Sequence, residues 1–521
     1  MARQPNFLFF CTDQHRADYL GCSGHPILKT PHIDGIAARG TRFDRAFVAS
    51  PVCMPNRASL LTGRYPSAHG VRRNGLPLSV RANTFLDVLR AGGYRTAMIG
   101  KSHVQPMTVK PDYALAEARP NGPVAEAWKD DGGDYGQEEP PRWQGNTAYE
   151  VELPYYGFDH VDMVTLHGDH CGGHYYQWLR ARTPDADRLR DRANQLDHDY
   201  ICPQAFRTPL PEDLYPTAYI RDRAMDYVRA AAKSPAPFFA FVSFPDPHHP
   251  FTPPGRYWDM YDPADMAPPL PYHAHRNPPP HLAALHAEMQ SDRRTTDAQK
   301  AFMAHEREVR EAMALTCGMI AMIDDAVGAV LEVLGRTGQA DNTVIVFGSD
   351  HGDYLGDFGL MLKGSAQFQA ITRVPFIWSD PDDRSARVSN DLVSTIDIAP
   401  TVIARAGLLP YNGIQGKDLG ASISGGQLGR GQLLIEHEDN APRMGFATPS
   451  RVRTLVTDRY RLSVYKDQDW GELYDLGEDP KETYNCWDDA AYTAVRDDLI
   501  RALTNEMLAA VDTSPRALRT A

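Results

Sequence analysis

Residues 6–15 read NFLFFCTDQH. The apolar stretch from Phe7 to Cys11 has no alternation, so it has no face suited to water. That is the pattern of a strand buried on both sides in a parallel sheet. The run stops at Asp13, Gln14 and His15, side chains able to hold a proton or a cation. Two further runs have the same shape. Residues 343–347, TVIVF, stop at Gly348-Ser349-Asp350-His351-Gly352, and residues 238–244, FFAFVSF, run into Pro245-Asp246-Pro247-His248-His249-Pro250. Sites in open α/β sheets form outside the carboxyl ends of the strands. Three strands ending in this way predict one shared crevice.

Helices are expected between these runs. Leu315, Met319, Ile323, Val327, Val330 and Leu334 recur at three- and four-residue steps, which gives an amphipathic helix just before the 343 strand. A shorter helix is expected over 84–91, with Gly92-Gly93 as its stop. Residues 106–211, rich in Pro, Gly, Asp and Tyr, read as long loops and insertions over the sheet rim, and 264–280 as a Pro/His-rich connector. Short strands are expected at 432–436, 454–458 and 461–465, then a helix around 491–507. The fold class this predicts is α/β: a mixed, mostly parallel central sheet flanked by helices, with a smaller antiparallel sheet plus helix at the C-terminal end. Residues 1–424 would form the catalytic domain, with rim insertions at 106–211, and 425–521 a small α+β subdomain.

The chain has 521 residues, with 54 basic against 67 acidic and a net charge of −13. That balance argues against a nucleic-acid or membrane-surface partner. The start lacks a cationic region followed by a long apolar one, so no signal peptide is expected, and no apolar stretch is expected to span a bilayer. The cysteines number seven, scattered and without zinc spacing. Free thiols in a reducing cytoplasm are the expectation.

Asp13, Asp350 and His351 could bind a divalent cation: carboxylate oxygens with one imidazole suit calcium, magnesium or manganese, and zinc stays open. The competing reading is that the aspartates cap helices. Cys53 could be a small buried hydrophobe or a reactive thiolate near Arg57.

The stretch around that cysteine, CMPNRASLLTG at 53–63, resembles the signature of the sulfatase family, in the alkaline phosphatase superfamily. Further motifs follow in the family's order. GYRTAMIGKSH at 93–103 is similar to the second sulfatase signature and supplies Lys101 and His103. PHHPF at 247–251 resembles the H-x-P-F element, whose spacing selects His248 over His249. SDHGDYLGDFGLMLK at 349–363 supplies Asp350, His351 and Lys363, and RRNGLP supplies Asn74. Residues 471–485 resemble the C-terminal E-L-Y-D-L…D-P-x-E signature. The resemblance runs from about residue 5 to 485 and implies an alkaline-phosphatase-like fold.

It also implies a mechanism. Cys53 would be converted by a formylglycine-generating enzyme to an aldehyde whose hydrate is the nucleophile. One divalent cation (Ca, Mn or Mg, with Zn open) would be held by Asp13, Gln14, residue 53, Asp350 and His351. Cys53, Arg57, Lys101, His103, His248 and Lys363 would be catalytic, and Asn74, Lys101, His248 and Lys363 would bind the substrate. In this picture one hydroxyl of the hydrate attacks, and His103 takes the proton of the other when the anion leaves. Many members carry Asp-Asp and Asp-Asn where this chain has Asp13-Gln14 and Asp350-His351. That variant resembles the branch with choline sulfatases, phosphonate monoester hydrolases and some arylsulfatases. The expected activity is hydrolysis of small sulfate monoesters by a homo-oligomer, dimer or tetramer. The alternative is a phosphonate monoester or phosphodiester hydrolase using the same site. Four other histidines are expected outside the machinery: His167, His170 and His174 in a substrate loop, and His160 in a structural turn. Residues 436–439 read as a solvated turn or subunit contact, and His15 and Arg16 could border the pocket.

Overall fold

Every residue of the strand Asn6–Thr12 is buried. Its side chains alternate between two cores, Leu8 and Phe10 in one and Phe7, Phe9 and Cys11 in the other, which is why the run shows no polar face. The computed structural model describes residues 4–110, 127–145, 149–267, 270–291, 293–296 and 300–519. Asn6–Thr12 lies at the centre of a nine-stranded sheet. It pairs in parallel with Thr343–Ser349 and with Phe238–Ser243, Phe7 facing Val344 on one side and Phe239 on the other. Arg95–Lys101 and His160–Thr165 continue the parallel block. Gly172–Gly173 closes that side antiparallel. On the other side come Phe376–Ser379, Thr41–Phe43 and Arg387–Ser389. The expected mixed, mostly parallel sheet is the one observed.

Helices cover both faces. Glu306–Arg336 carries the six predicted apolar positions and packs on Pro216–Ala231 over Leu8, Phe10, Ile345 and Phe347. Among the described residues it is the helix long and apolar enough to cross a membrane by length and composition; 83% of its most apolar window is buried in the fold. It is apolar nearly all round because neighbours surround it. On the opposite face lie Cys53–Thr62, Phe85–Ala91 and Ile398–Arg405. Thr84 and Asp87 form a reciprocal cap on the second of these, and Gly92 and Gly93 end it as expected.

The region expected to be loops, 106–211, needs correction. It contains His160–Thr165, a full parallel strand, and the helix His174–Arg182. HVDMVT hides its strand character behind an exposed His160 and a half-buried Asp162, because it lies near the sheet's edge. Part of that region, 111–126 and 146–148, lies outside the described residues.

At the C-terminal end Gln432–Glu438, Arg451–Thr457, Tyr460–Tyr465 and Gly471–Asp475 form an antiparallel sheet in chain order. The helix Thr493–Ala509 packs on it. Residues 436–438 are no solvated turn: they are buried in the first of these strands. Glu436 lies 3.4 Å and Glu438 3.3 Å from the guanidinium of Arg453 on the next strand. The N–H of Glu436 donates to Ala49 O at 2.9 Å, which ties this sheet to the loop before Cys53.

Gly100 shows how closely the central strands approach. Its φ is +116°, and a Cβ there would lie 1.9 Å from the carbonyl oxygen of Ser243 on the neighbouring strand. Gly100→Ala is expected to destabilise the fold by about 3 kcal/mol or more, from strain plus a backbone clash. Urea denaturation measures this, and a loss below about 1 kcal/mol would mean that the two strands can part.

Candidate active site

Because the central strands are parallel, their carboxyl ends collect at one edge of the sheet, and each delivers a chemical group. Asp13 follows Asn6–Thr12, and Asp350 and His351 follow Thr343–Ser349. Lys101 and His103 come from the end of Arg95–Lys101, His248 from the loop after Phe238–Ser243, and His167 from just beyond His160–Thr165. Backbone bonds continue the ladder past the strands and fix these ends: Asp350 N–H donates to Thr12 O and Asp13 N–H to Asp246 O, both at 3.1 Å.

Cys53 is the first residue of a buried helix whose N-terminus points into this edge. Pro55 is tolerated in the first turn, where its missing N–H costs nothing. The carbonyl oxygen of the Asn74 side chain accepts the N–H of Met54 at 3.2 Å, so the predicted substrate ligand also caps the helix start. Asn56 pins the turn twice: its Oδ1 accepts from Ala49 N at 3.0 Å and Thr395 Oγ1 at 2.7 Å, and its amide donates to the carbonyl of Asp350. Gly63, at φ +63°, ends the helix in the left-handed region.

Around the thiol the predicted residues converge. Cys53 Sγ lies 3.0 Å from Lys363 Nζ, 3.1 Å from His351 Nε2 and 3.8 Å from Asp13 Oδ1. Lys363 Nζ also reaches His248 Nε2 at 2.8 Å and Gln14 Oε1 at 3.0 Å. Lys101 Nζ pairs with Asp13 and meets His167 Nε2 at 2.6 Å. Arg57 is 2% exposed. It donates from Nε to Asp350 Oδ2 at 2.7 Å and from Nη1 to Lys101 O and Ser243 Oγ at 2.9 Å, with Nη2 3.6 Å from Asp13 Oδ2. Of the two adjacent histidines, His248 is the one on Lys363, whereas His249 Nδ1 meets Gln14 Nε2 at 3.0 Å.

Electrostatics follow from burial and this crowding of charge. Burial raises the Asp13 pKa, but Lys101, Arg57 and Lys363 outweigh it and hold the carboxyl well below its usual range. Burial and Asp13 push the Cys53 thiol up; Lys363, His351 and Lys101 prevail and lower it. Burial together with His167 and Lys363 drives His248 toward the neutral form. Burial would also neutralise Lys363, yet Cys53 and Asp13 keep it an ammonium. The proton between Lys363 and His248 therefore sits on the lysine.

Asp13, Cys53, Asp350 and His351 bring ligand atoms within 4.8 Å of one another, and all are buried. Two carboxylates and an imidazole suit a divalent cation. Gln14 lies against them through its N–H, 3.1 Å from Asp350 Oδ1. The residues present fit such an ion.

His167, expected in a substrate loop, reaches the site, and Asp353 and Ser243 escaped the sequence reading. His167 stacks on His248 with ring centroids 3.6 Å apart, while His174 instead bonds Glu150 and the backbone of Met163. The strand-end rule that found Asp13 would have found His167 had HVDMVT been read as a strand. Asp353, buried, accepts from the Gln14 amide, and Ser243 accepts from Arg57; neither type of residue announces itself in sequence.

A mixed sheet that gathers a thiol, two carboxylates and a ring of cations at its strand ends defines a metal-site hydrolase of the alkaline phosphatase superfamily. Family comparison agrees: the sulfatase family model matches residues 5–408, and that of the N-sulphoglucosamine sulphohydrolase C-terminal region matches 356–509. The chain belongs to the sulfatase family and is a sulfuric ester hydrolase. It is 29% identical to an uncharacterized sulfatase, YidJ, of Escherichia coli over 97% of this chain and 87% of the relative. It is 26% identical to an arylsulfatase of Clostridium perfringens over 97% and 94%. Among solved structures, a phosphonate monoester hydrolase of Agrobacterium radiobacter superposes with a TM-score of 0.76 at 26% identity, covering 98% of this chain and 97% of that one. The family generally uses a metal ion and a formylglycine.

Asp350→Ala removes one charged ligand atom and leaves Arg57 Nε without its acceptor. Metal analysis of the purified variant should fall from about one divalent ion per chain to below about a tenth, with turnover lost alongside. Wild-type metal content in a folded variant would refute the assignment.

Proposed function

We propose that this protein hydrolyses small sulfate monoesters at residue 53, after a formylglycine-generating enzyme has converted Cys53. The observation that carries the reading is the position of Cys53 Sγ, at a helix N-terminus and within 3.8 Å of Asp13, His351 and Lys363 together. Asp13, Gln14, residue 53, Asp350 and His351 would hold a divalent cation, with calcium, manganese, magnesium and zinc as candidates. Such an ion supplies Lewis acidity and offsets the charge of the bound anion. A hydrated aldehyde at 53 would offer two hydroxyls where the thiol offers one group.

The chain's own residues do the remainder. Arg57 holds Asp13 and Asp350 in place from behind, and the helix N-terminus adds partial positive charge toward the oxyanion. Lys101, Lys363 and Asn74 bind the non-bridging oxygens and offset charge that builds during transfer. The leaving oxygen receives its proton from the Lys363–His248 pair: the proton starts on the lysine, and His248 Nε2 accepts that N–H at 2.8 Å. His103 takes the proton from the second hydroxyl. Its Nδ1 is buried and has no hydrogen-bond partner among the described residues, and its ring lies 6.3 Å from that of His167.

A second reading is a phosphonate monoester or phosphodiester hydrolase. What supports it is the similarity to the Agrobacterium radiobacter enzyme together with the Asp13-Gln14 and Asp350-His351 pairs. Both ester classes present oxygens that the same cations can hold. A panel of aryl and alkyl sulfates, phosphonate monoesters and phosphodiesters, assayed on converted protein, decides between them by kcat/KM.

Two predictions test the chemistry. Peptide mass analysis of active protein should show residue 53 with its sulfur replaced by oxygen and two hydrogens fewer; full activity with an intact Cys53 thiol would sink the proposal. His248→Ala should lose about a hundredfold more rate on an alkyl ester than on a nitrophenyl ester, since poor leaving groups need the proton. His249→Ala, which faces Gln14, should show no such dependence. Leaving-group dependence in the His249 variant alone would move the role by one residue.

A further inference from the structure

Glu138 belongs to the rim insertion, far in sequence from any motif of the active site, yet it is fully buried. Its carboxylate takes the backbone N–H groups of three consecutive residues: His103 at 2.8 Å on Oε2, and Val104 and Gln105 at 3.0 Å on Oε1. The hydroxyl of Tyr155 donates to Oε1 at 2.7 Å. Successive N–H groups converging on one acceptor make an anion nest, a backbone shape that includes a left-handed residue. Here that residue is His103, at φ +53°. A residue with a Cβ enters this conformation at a cost that hydrogen bonds to the neighbouring backbone can offset. Gln105 ties the same loop to the insertion: its Oε1 accepts from Gln137 N at 2.9 Å and its amide donates to Asp134 O at 2.9 Å.

We propose that Glu138 is a positioning residue for His103, fixing the loop 103–105 in a backbone shape that holds the imidazole at the site, beside His167. The inference rests on the proton-accepting role given to His103 above. Without the carboxylate, three buried N–H groups lose their acceptor and the left-handed residue loses its compensation. The ring then drifts, and a shift of about 1 Å at a reacting group can cost about a hundredfold in rate. The effect falls on the step His103 serves, which follows departure of the alcohol. Glu138 touches no substrate.

The test compares Glu138→Gln with His103→Ala on converted protein. In Glu138→Gln one acceptor oxygen becomes a donor that faces N–H groups. The expected result is a fall in kcat of about thirtyfold to a hundredfold with KM not raised. Rapid-quench assay should show a burst of alcohol stoichiometric with enzyme, as in His103→Ala. Hydrogen exchange, which needs no conversion of residue 53, should show lost protection at the amides of 103–105 and no change in the central strands. If Glu138→Gln does not fold, Glu138→Asp keeps the charge, shortens the reach and is expected to give the same burst. A folded Glu138 variant with normal protection at 103–105, or without a burst where His103→Ala gives one, overturns the inference. Absence of a burst in His103→Ala itself overturns the role of His103, and this inference with it.

Discussion

The buried pairing of Arg57 with Asp350 and Asp13 is the constraint on which the site depends. Two carboxylates at 0% exposure cannot stay ionised in a protein interior unless cations face them. Arg57 does this with a rigid fork: one nitrogen on Asp350, another on the Lys101 carbonyl and Ser243, the third near Asp13. It therefore binds four adjacent strand ends to one helix. Removing one member of such a set typically costs about 3–5 kcal/mol, because an uncompensated charge is left behind. The same arrangement places positive charge behind the carboxylates and leaves their other oxygens toward Cys53. A cation and an anionic ester can then both be accommodated, since each meets the opposite charge already fixed by the fold.

The parallel sheet makes this crowding affordable. Its strands are held by ladder bonds and by two apolar layers, so their ends are rigid, and side chains on rigid ends lose little freedom on binding. The cations are spread over separate elements: Lys101 on a strand, Arg57 on a helix, Lys363 on a loop. The Lys363 loop is steadied from the C-terminal sheet. Ser365 donates to Asp439 and the Tyr465 hydroxyl donates to Ser365 O at 3.1 Å. The C-terminal antiparallel sheet thus has a part in the site without offering it a catalytic group, and Glu436 ties it to the loop before Cys53.

How much of this could be read in advance depended on the signal. Strands buried on both faces, such as NFLFFCT and TVIVFGS, declare themselves by unbroken apolarity, and the residues that end them were legible as a site. Arg57, Lys101, His103 and Lys363 came from the resemblance alone, because nothing about an isolated lysine tells its direction. HVDMVT was not legible, since a strand near the edge carries polar residues on its less covered face. Asn56 and Ser243 were not legible either: each acts at the site through a partner far away in sequence, Asp350 for the first and Arg57 for the second.

Glu138 belongs with those unreadable residues, and the reason is instructive. Its partners are backbone N–H groups, which every residue except proline carries, so no pairing of side-chain types could have marked it. What the sequence does contain is the need for it. His103 follows the end of a strand and takes the left-handed region, which a histidine enters at a cost. A strained residue at an active site calls for a compensating group nearby. Here Glu138 supplies it, as a fully buried carboxylate with four donors. By accepting three consecutive backbone N–H groups, one buried acid sets the shape of the loop 103–105 whatever side chains that loop carries.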